Sequence, residues 1–247
     1  MCLIAFHWRP ENSVPLILSG NRDEFYDRPT APLAWWEGDR ILAGRDLRAG
    51  GTWLGVTPEG RCAVITNYRD PRQSMTNRGS RGQMPQRFLE ATISSAAFLD
   101  VLRKESTQFN PFNLLLFDGR DLLGYESRHD RSRAFDPGIH AVSNGDFDAP
   151  WPKVERLGAG MAAGPDDDET LLALLGDGQV FEDDRLPHTG IPLEWERALS
   201  PAFVRIDTYG TRASTILRLG RDTVSILEQR FSREGPEGRT EFRFRKC

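Results

Sequence analysis

Cys2 lies directly behind the initiator methionine in Met1-Cys2-Leu3-Ile4-Ala5-Phe6. Methionine is generally trimmed when a small residue follows it, so the mature chain is expected to begin at Cys2. One residue then carries both a thiol and a free α-amine. Such an amine has an unperturbed pKa of roughly 7.7–8.0 and can take a proton near neutral pH. An N-terminal threonine activates its own hydroxyl in the same way, and a thiol is the more nucleophilic variant. Without trimming, Cys2 is a small apolar residue that opens a buried strand.

The densest polar stretch is Gly20-Asn21-Arg22-Asp23-Glu24-Phe25-Tyr26-Asp27-Arg28-Pro29, and it follows an apolar run. If Cys2–Trp8 and Val14–Ser19 pair as a hairpin, Asn21, Arg22 and Asp23 return to the N-terminus. Arg22 then lowers the thiol pKa by its charge, and Asp23 holds or orients the α-amine. Adjacent strand residues face opposite ways. Arg22 and Asp23 therefore cannot both face Cys2 unless a bulge or strand end intervenes; otherwise one serves the outer face.

Asn67 and Asn144 each end an apolar run. An asparagine amide can donate to the oxyanion of acyl transfer, where losing one donor typically raises the barrier by about 2.7–4 kcal/mol. Asn144-Gly145 also fits a plain turn. Arg212, ahead of an apolar strand, suits a carboxylate, a phosphate or a structural ion pair. Arg22, Arg69 and Arg212 together could hold carboxylate or phosphate groups, because guanidinium pairs with both in a bidentate manner. Trp35, Trp36, Trp53 and Trp151 serve either as apolar walls of a cleft or as ordinary core.

The 247 residues suit one domain spanning 1–247, with no linker or repeat to divide it. A net charge of −4 leaves no electrostatic footprint for nucleic acid. Three cysteines without short spacing argue against a disulfide framework and for a reducing, cytoplasmic compartment. The apolar start is too short for a signal segment or a bilayer span, so no integral membrane segment is expected. There is no phosphate-binding glycine loop, no nucleophile elbow and no metal-ligand spacing among His7, His129, His140 and His188. Asp166-Asp167-Asp168-Glu169 suits a solvated helix start.

Strands are expected at Cys2–Trp8, Val14–Ser19, Arg40–Gly44, Thr52–Thr57, Arg61–Asn67, Asn113–Phe117, Leu122–Glu126 and Ile139–Asn144. Four more follow at Phe203–Asp207, Ser214–Leu219, Thr223–Gln229 and Thr240–Phe244. Helices are expected at Pro85–Ala91, Ser95–Lys104, Val154–Ala162 and Asp168–Leu175. Pro29 to Pro32 reads as an irregular connection, and Tyr68 to Gly82 as a long exposed loop of the kind that forms lids. Strands and helices segregate along the chain, which points to an α+β fold of two stacked antiparallel sheets with helices outside.

Asn21-Arg22-Asp23-Glu24 resembles the signature of the NRDE family, the homologues of the animal transport-and-Golgi-organization protein. Further blocks are similar to that family in order along the chain: Met1-Cys2-Leu3-Ile4, Gly44-Arg45-Asp46, Gly50-Gly51-Thr52-Trp53-Leu54-Gly55, Asn67-Tyr68-Arg69, Ser143-Asn144-Gly145, Pro150-Trp151-Pro152-Lys153 and Tyr209-Gly210-Thr211-Arg212. The resemblance implies an N-terminal-nucleophile hydrolase fold, an αββα sandwich whose cysteine members include bile-salt and penicillin amidases. By their pattern Cys2 is the nucleophile, an Arg–Asp pair supports it and asparagines bind the oxyanion. Those amidases separate the Arg and Asp by two residues, whereas Arg22 and Asp23 are adjacent, so Glu24 is a rival carboxylate. With Cys2, Arg22, Asp23, Asn67 and Asn144 as catalytic candidates, Asn21, Glu24, Arg69 and Arg212 are the candidates for holding substrate. The resemblance also associates the chain with haem trafficking and with acyl-CoA or lipid metabolism. The alternative to hydrolysis is therefore a carrier that holds haem or an acyl-CoA without turnover.

Overall fold

Cys2, Ile4, Phe6 and Trp8 enter one apolar cluster while Leu3 and Ala5 enter another, so the first strand, β1 (Cys2–Trp8), is buried on both faces. A strand covered on both sides belongs to an inner layer. Its neighbour β2 (Leu16–Phe25) begins apolar and continues through the whole Asn21–Glu24 cluster. The computed structural model describes residues 2–38, 40–73 and 78–247.

After these come β3 (Thr30–Trp35), β4 (Leu42–Asp46), β5 (Leu54–Val56) and β6 (Cys62–Asn67), then α1 (Gln83–Glu90) and α2 (Ser95–Arg103). Next are β7 (Phe112–Phe117), β8 (Leu122–Glu126), β9 (Arg131–Ala134) and β10 (Gly138–Val142). The chain continues through α3 (Pro152–Ala163), α4 (Asp168–Leu175), α5 (Leu193–Ala198), β11 (Tyr209–Leu219), β12 (Thr223–Phe231) and β13 (Pro236–Arg245). One antiparallel sheet has the order β10-β1-β2-β11-β12-β13, and the other runs β3 to β9 in chain order.

The inner faces of the sheets meet through Ile4, Phe6, Leu18, Ile226 and their partners, and the same cluster extends to Phe88, Phe98 and Leu102 on α1 and α2. On the other side of the first sheet, Leu3, Ile17 and Ile216 pack against Val154, Leu157 and Leu175 of α3 and α4. The result is the expected four-layer αββα sandwich. Among the described residues no helix is long and apolar enough to cross a membrane.

Two local expectations need correction, and two elements were not anticipated. The irregular connection over Pro29 to Pro32 is instead largely β3, where Pro32 is tolerated because an edge strand pairs on one side only and bulges between Ala31 and Ala34. Phe203–Asp207 is no strand. Ile206 N donates to Tyr209 O at 2.8 Å in a tight reversal, with only an isolated bridge between Arg205 and Gly210. The exposed β9 lacks apolar alternation and α5 is short, so neither gave a signal in the sequence. Of the Tyr68 to Gly82 loop, residues 74–77 lie outside the described residues, as does Met1.

Gly51 packs directly against the backbone that leads into α1. A Cβ there would lie 2.3 Å from Gly82 O and 2.4 Å from Gly82 C, backbone atoms at the start of α1. Gly51→Ala is predicted to lose about 1–3 kcal/mol by forcing these segments apart. At Gly178 an added Cβ meets nothing within 4 Å, and the loss at Gly178→Ala is expected to be smaller. Urea unfolding of both variants measures the difference, and equal stability would contradict the packing described.

Candidate functional site

Antiparallel pairing sets Cys2 directly opposite Arg22, so both side chains leave the same face of the sheet. That face is the inner one, and the two residues help line a cavity of about 380 Å³ between the sheets. Across the sheet the same row continues through Ala213 and Arg230. Ser143 Oγ donates to Cys2 O at 3.0 Å and fixes the strand start.

Arg22 is only 7% exposed. Its Nη1 is buried and makes no hydrogen bond among the described residues, while its Nη2 lies 4.0 Å from Glu24 Oε2. Glu24, two residues further along β2, shares the inner face. Burial pushes the Cys2 thiol above its ordinary pKa, and the charge of Arg22 draws it back only in part.

Asp23 is 1% exposed and contributes to the cavity wall, but its carboxylate is held from the neighbouring strand β11 of the same sheet. Thr211 Oγ1 donates to Asp23 Oδ1 at 2.8 Å, and Tyr209 Oη donates to Asp23 O at 2.9 Å. The two carboxylates therefore divide: Glu24 faces with the thiol and Asp23 away from it. No bulge in β2 is needed for this; the irregularity in the sheet lies in β11, between Thr211 and Ala213. Because the strands are antiparallel, the amino side of Cys2 lies towards Asp23. Burial raises the Asp23 pKa, and the nearby Lys153 charge counters it.

Of the residues singled out in the sequence, Cys2, Arg22, Asp23, Glu24, Asn67 and Arg212 line this cavity. Arg212 is largely engaged: Nη1 donates to Phe25 O at 3.0 Å and Tyr26 O at 3.1 Å, clamping the turn that follows β2. Trp53 is the one tryptophan of the four in the wall. Trp35 packs on Phe244, Trp36 bonds Ala43 O, and Trp151 lies beneath the Arg69 guanidinium.

The structure does not bring Asn21, Asn144 or Arg69 to that cavity. Asn21 faces the helices, where Nδ2 donates to Leu175 O at 2.8 Å and Ala202 O at 2.9 Å and Oδ1 accepts from Ser214 Oγ. Asn144 Nδ2 donates to Asn67 O at 2.7 Å, so it positions the neighbouring asparagine. Arg69 is buried against Glu196 at 2.6 Å, and with Asn144 it lines a separate groove beyond that wall.

Glu228, Arg81 and Arg230 were not singled out in the sequence, and Lys153 entered there only as part of the block Pro150-Trp151-Pro152-Lys153. Lys153 stands behind Asp23, with Nζ donating to Leu199 O at 2.8 Å. A lysine in the first turn of α3 opposes the helix dipole, and that conflict was its sequence signal. Glu228 and Arg230 continue the inward alternation Val224, Ile226, Glu228, Arg230 of β12, so charges on an apolar face were visible there. Glu228 Oε1 accepts from Leu33 N at 2.8 Å and ties the two sheets together. Burial lowers the Arg81 pKa, while the Cys2 and Glu24 charges raise it; its loop offered no periodic signal.

The family profile described as Transport and Golgi organisation 2 matches residues 1–233. A Transport and Golgi organization 2 homolog of Mus musculus is 32% identical over 246 residues, covering 88% of each chain. That of Homo sapiens is 32% identical over 251 residues, covering 90% of each. Among solved structures, a Caenorhabditis elegans N-acylethanolamine-hydrolyzing acid amidase ortholog matches with a TM-score of 0.44 and 11% identity, over 87% of this chain and 92% of that one.

Burial lowers the Lys153 pKa to about 8 from an ordinary 10.5, despite the attraction of Asp23. The folded state thus binds this proton less tightly than the unfolded chain. Its contribution to stability is complete above pH 10.5 and is lost as pH falls through about 8. The stability difference between wild type and Lys153→Met is predicted to change by up to about 3 kcal/mol across that window. Urea unfolding at stepped pH measures it, and a flat difference would show that Lys153 titrates normally.

Proposed function

The chain belongs to the Transport and Golgi organisation 2 family, and from its cavity we propose that it hydrolyses a small amide or acyl thioester through Cys2 once Met1 is removed. One observation carries the proposal. Cys2 opens β1 on the floor of a cavity opposite Arg22, whose Nη1 makes no hydrogen bond among the described residues, while the amino side of Cys2 lies towards Asp23. The αββα layering agrees with the arrangement expected of N-terminal-nucleophile hydrolases.

In this mechanism the α-amine takes the thiol proton as sulfur attacks the acyl carbon. The charge that develops on the acyl oxygen is met by the Asn67 amide, held in place from behind by Asn144. The ammonium then returns its proton to the departing amine or thiol, leaving an acyl-cysteine. Water, deprotonated by the same amine, releases the acid. Asp23 stabilises the ammonium stage, and the Lys153 charge opposes the burial that raises the Asp23 pKa. Arg22 favours the thiolate and contacts an anionic part of the substrate. The three cysteines are free, which suits a reducing, cytoplasmic setting.

The raised pKa of the thiol favours a second role. Without a free amine Cys2 is a poor nucleophile, and the same cavity would then carry haem or an acyl-CoA without turnover. Among the described lining residues Cys2 is the one sulfur donor and none is a histidine, so Cys2 would be the side chain to hold the iron of a haem bound there.

Trimmed protein is predicted to be acylated at Cys2 near neutral pH by an acyl electrophile, while protein retaining Met1 reacts only at alkaline pH. Cys2→Ala should abolish the label, and Asn67→Ala should slow acylation about 100- to 1000-fold. Mass-spectrometric rates read both. A trimmed thiol no more reactive than the untrimmed one would remove the hydrolase and leave the carrier.

A further inference from the structure

Ala213 occupies the sheet floor between two guanidiniums. Arg22 pairs with it on one side and Arg230 on the other, in the row that begins at Cys2. With neighbouring strands about 4.8 Å apart, the two arginine backbones stand roughly 10 Å apart, above a residue that ends at Cβ. Arg22 Nη1 and Arg230 Nε are both buried and make no hydrogen bonds among the described residues. Buried donors without acceptors are unfavourable unless something supplies them. We propose that the floor over Ala213 is an anion seat, and that the substrate is an amide or thioester with one arm ending in a carboxylate or phosphate.

Other charged groups in the wall have partners of their own. Arg28 is bound to Asp46 at 2.7 Å, Arg45 Nε donates to Gly50 O at 3.1 Å, and Arg212 is clamped on backbone carbonyls. Two carboxylates stand nearby without hydrogen-bonding the open nitrogens among the described residues. Glu228 Oε1 takes Leu33 N, burial raises its pKa and the charges of Arg230 and Arg22 oppose that rise, while Glu24 Oε1 takes Phe25 N at 3.0 Å and Oε2 lies 4.0 Å from Arg22 Nη2. Two strand spacings separate the Cys2 strand from Ala213, so an anion seated there lies roughly 10 Å from the reacting thiol. This places the seat on the binding side of the site and makes Arg230 and Ala213 specificity residues. The inference rests on the hydrolase for its reaction but concerns binding, which can be measured without turnover.

Titration calorimetry with glutarate and with inorganic phosphate tests it on the whole chain. At least one anion is expected to saturate wild type, and its affinity should fall with added salt. Arg230→Gln and Ala213→Leu should each weaken it at least about tenfold, with Arg230→Lys between. Preference for glutarate points to a carboxylate arm and preference for phosphate to a phosphorylated one. Thermal melts identify a variant that fails to fold, in which case the other decides. No saturable binding to wild type, or equal affinity in a folded Arg230→Gln or Ala213→Leu, would overturn the seat. Cys2 labelling on the same samples separates the two claims: anion binding with an inert thiol removes the hydrolase alone, and a reactive thiol without anion binding removes the seat alone.

Discussion

The register between β1 and β2 is the constraint on which the site depends. It sets Cys2 opposite Arg22 and leaves Asp23 on the other face. A slip of one residue would exchange those faces, turning Arg22 into the helices and Asp23 towards the thiol. Hydrophobicity alone cannot forbid the slip, because β1 is apolar on both sides. The polar residues forbid it. Asn21 has one arrangement in which its amide reaches Leu175 O and Ala202 O while accepting from Ser214. Moving it inward would strand three buried polar groups, each at about 1–3 kcal/mol. A residue expected to touch substrate thus acts as the pin that aims its neighbours.

Charge is layered in the same way. Behind the first sheet, Asp23 stands near Lys153, and Arg69 is joined to Glu196. Such buried groups add little net stability, but removing one partner leaves an uncompensated charge. Their effect is to hold the start of β1, the turn after β10 and α3 in one arrangement. On the cavity side, Arg22 Nη1 and Arg230 Nε make no hydrogen bond among the described residues. The sheet therefore has the Arg69–Glu196 pair behind it and two open guanidinium nitrogens among the described residues on its cavity side.

Much of this was legible in the sequence. The hairpin of β1 and β2 and the helix start in Asp166-Asp167-Asp168-Glu169 follow from periodicity and charge, and the structure agrees: Cys2 pairs with Arg22, and Asp167 accepts from Thr170 N at 2.9 Å. The opposite facing of Arg22 and Asp23 followed from strand geometry alone. Residues whose function depends on distant contacts were less legible. Asn21 and Arg69 look like ligand binders until their partners, more than a hundred positions away, are seen. Glu228 and Arg230 were readable from alternation in β12, but a pair of charges near the end of a strand also fits a solvated edge. Arg81 carries no local pattern at all, because a loop imposes none.

The chemistry finally requires a thiol and a primary amine on one residue at the floor of the cavity. Intact-mass measurement of the protein purified from its native cells tests this most directly. The account predicts a chain beginning at Cys2; a chain that still carries Met1 would contradict it.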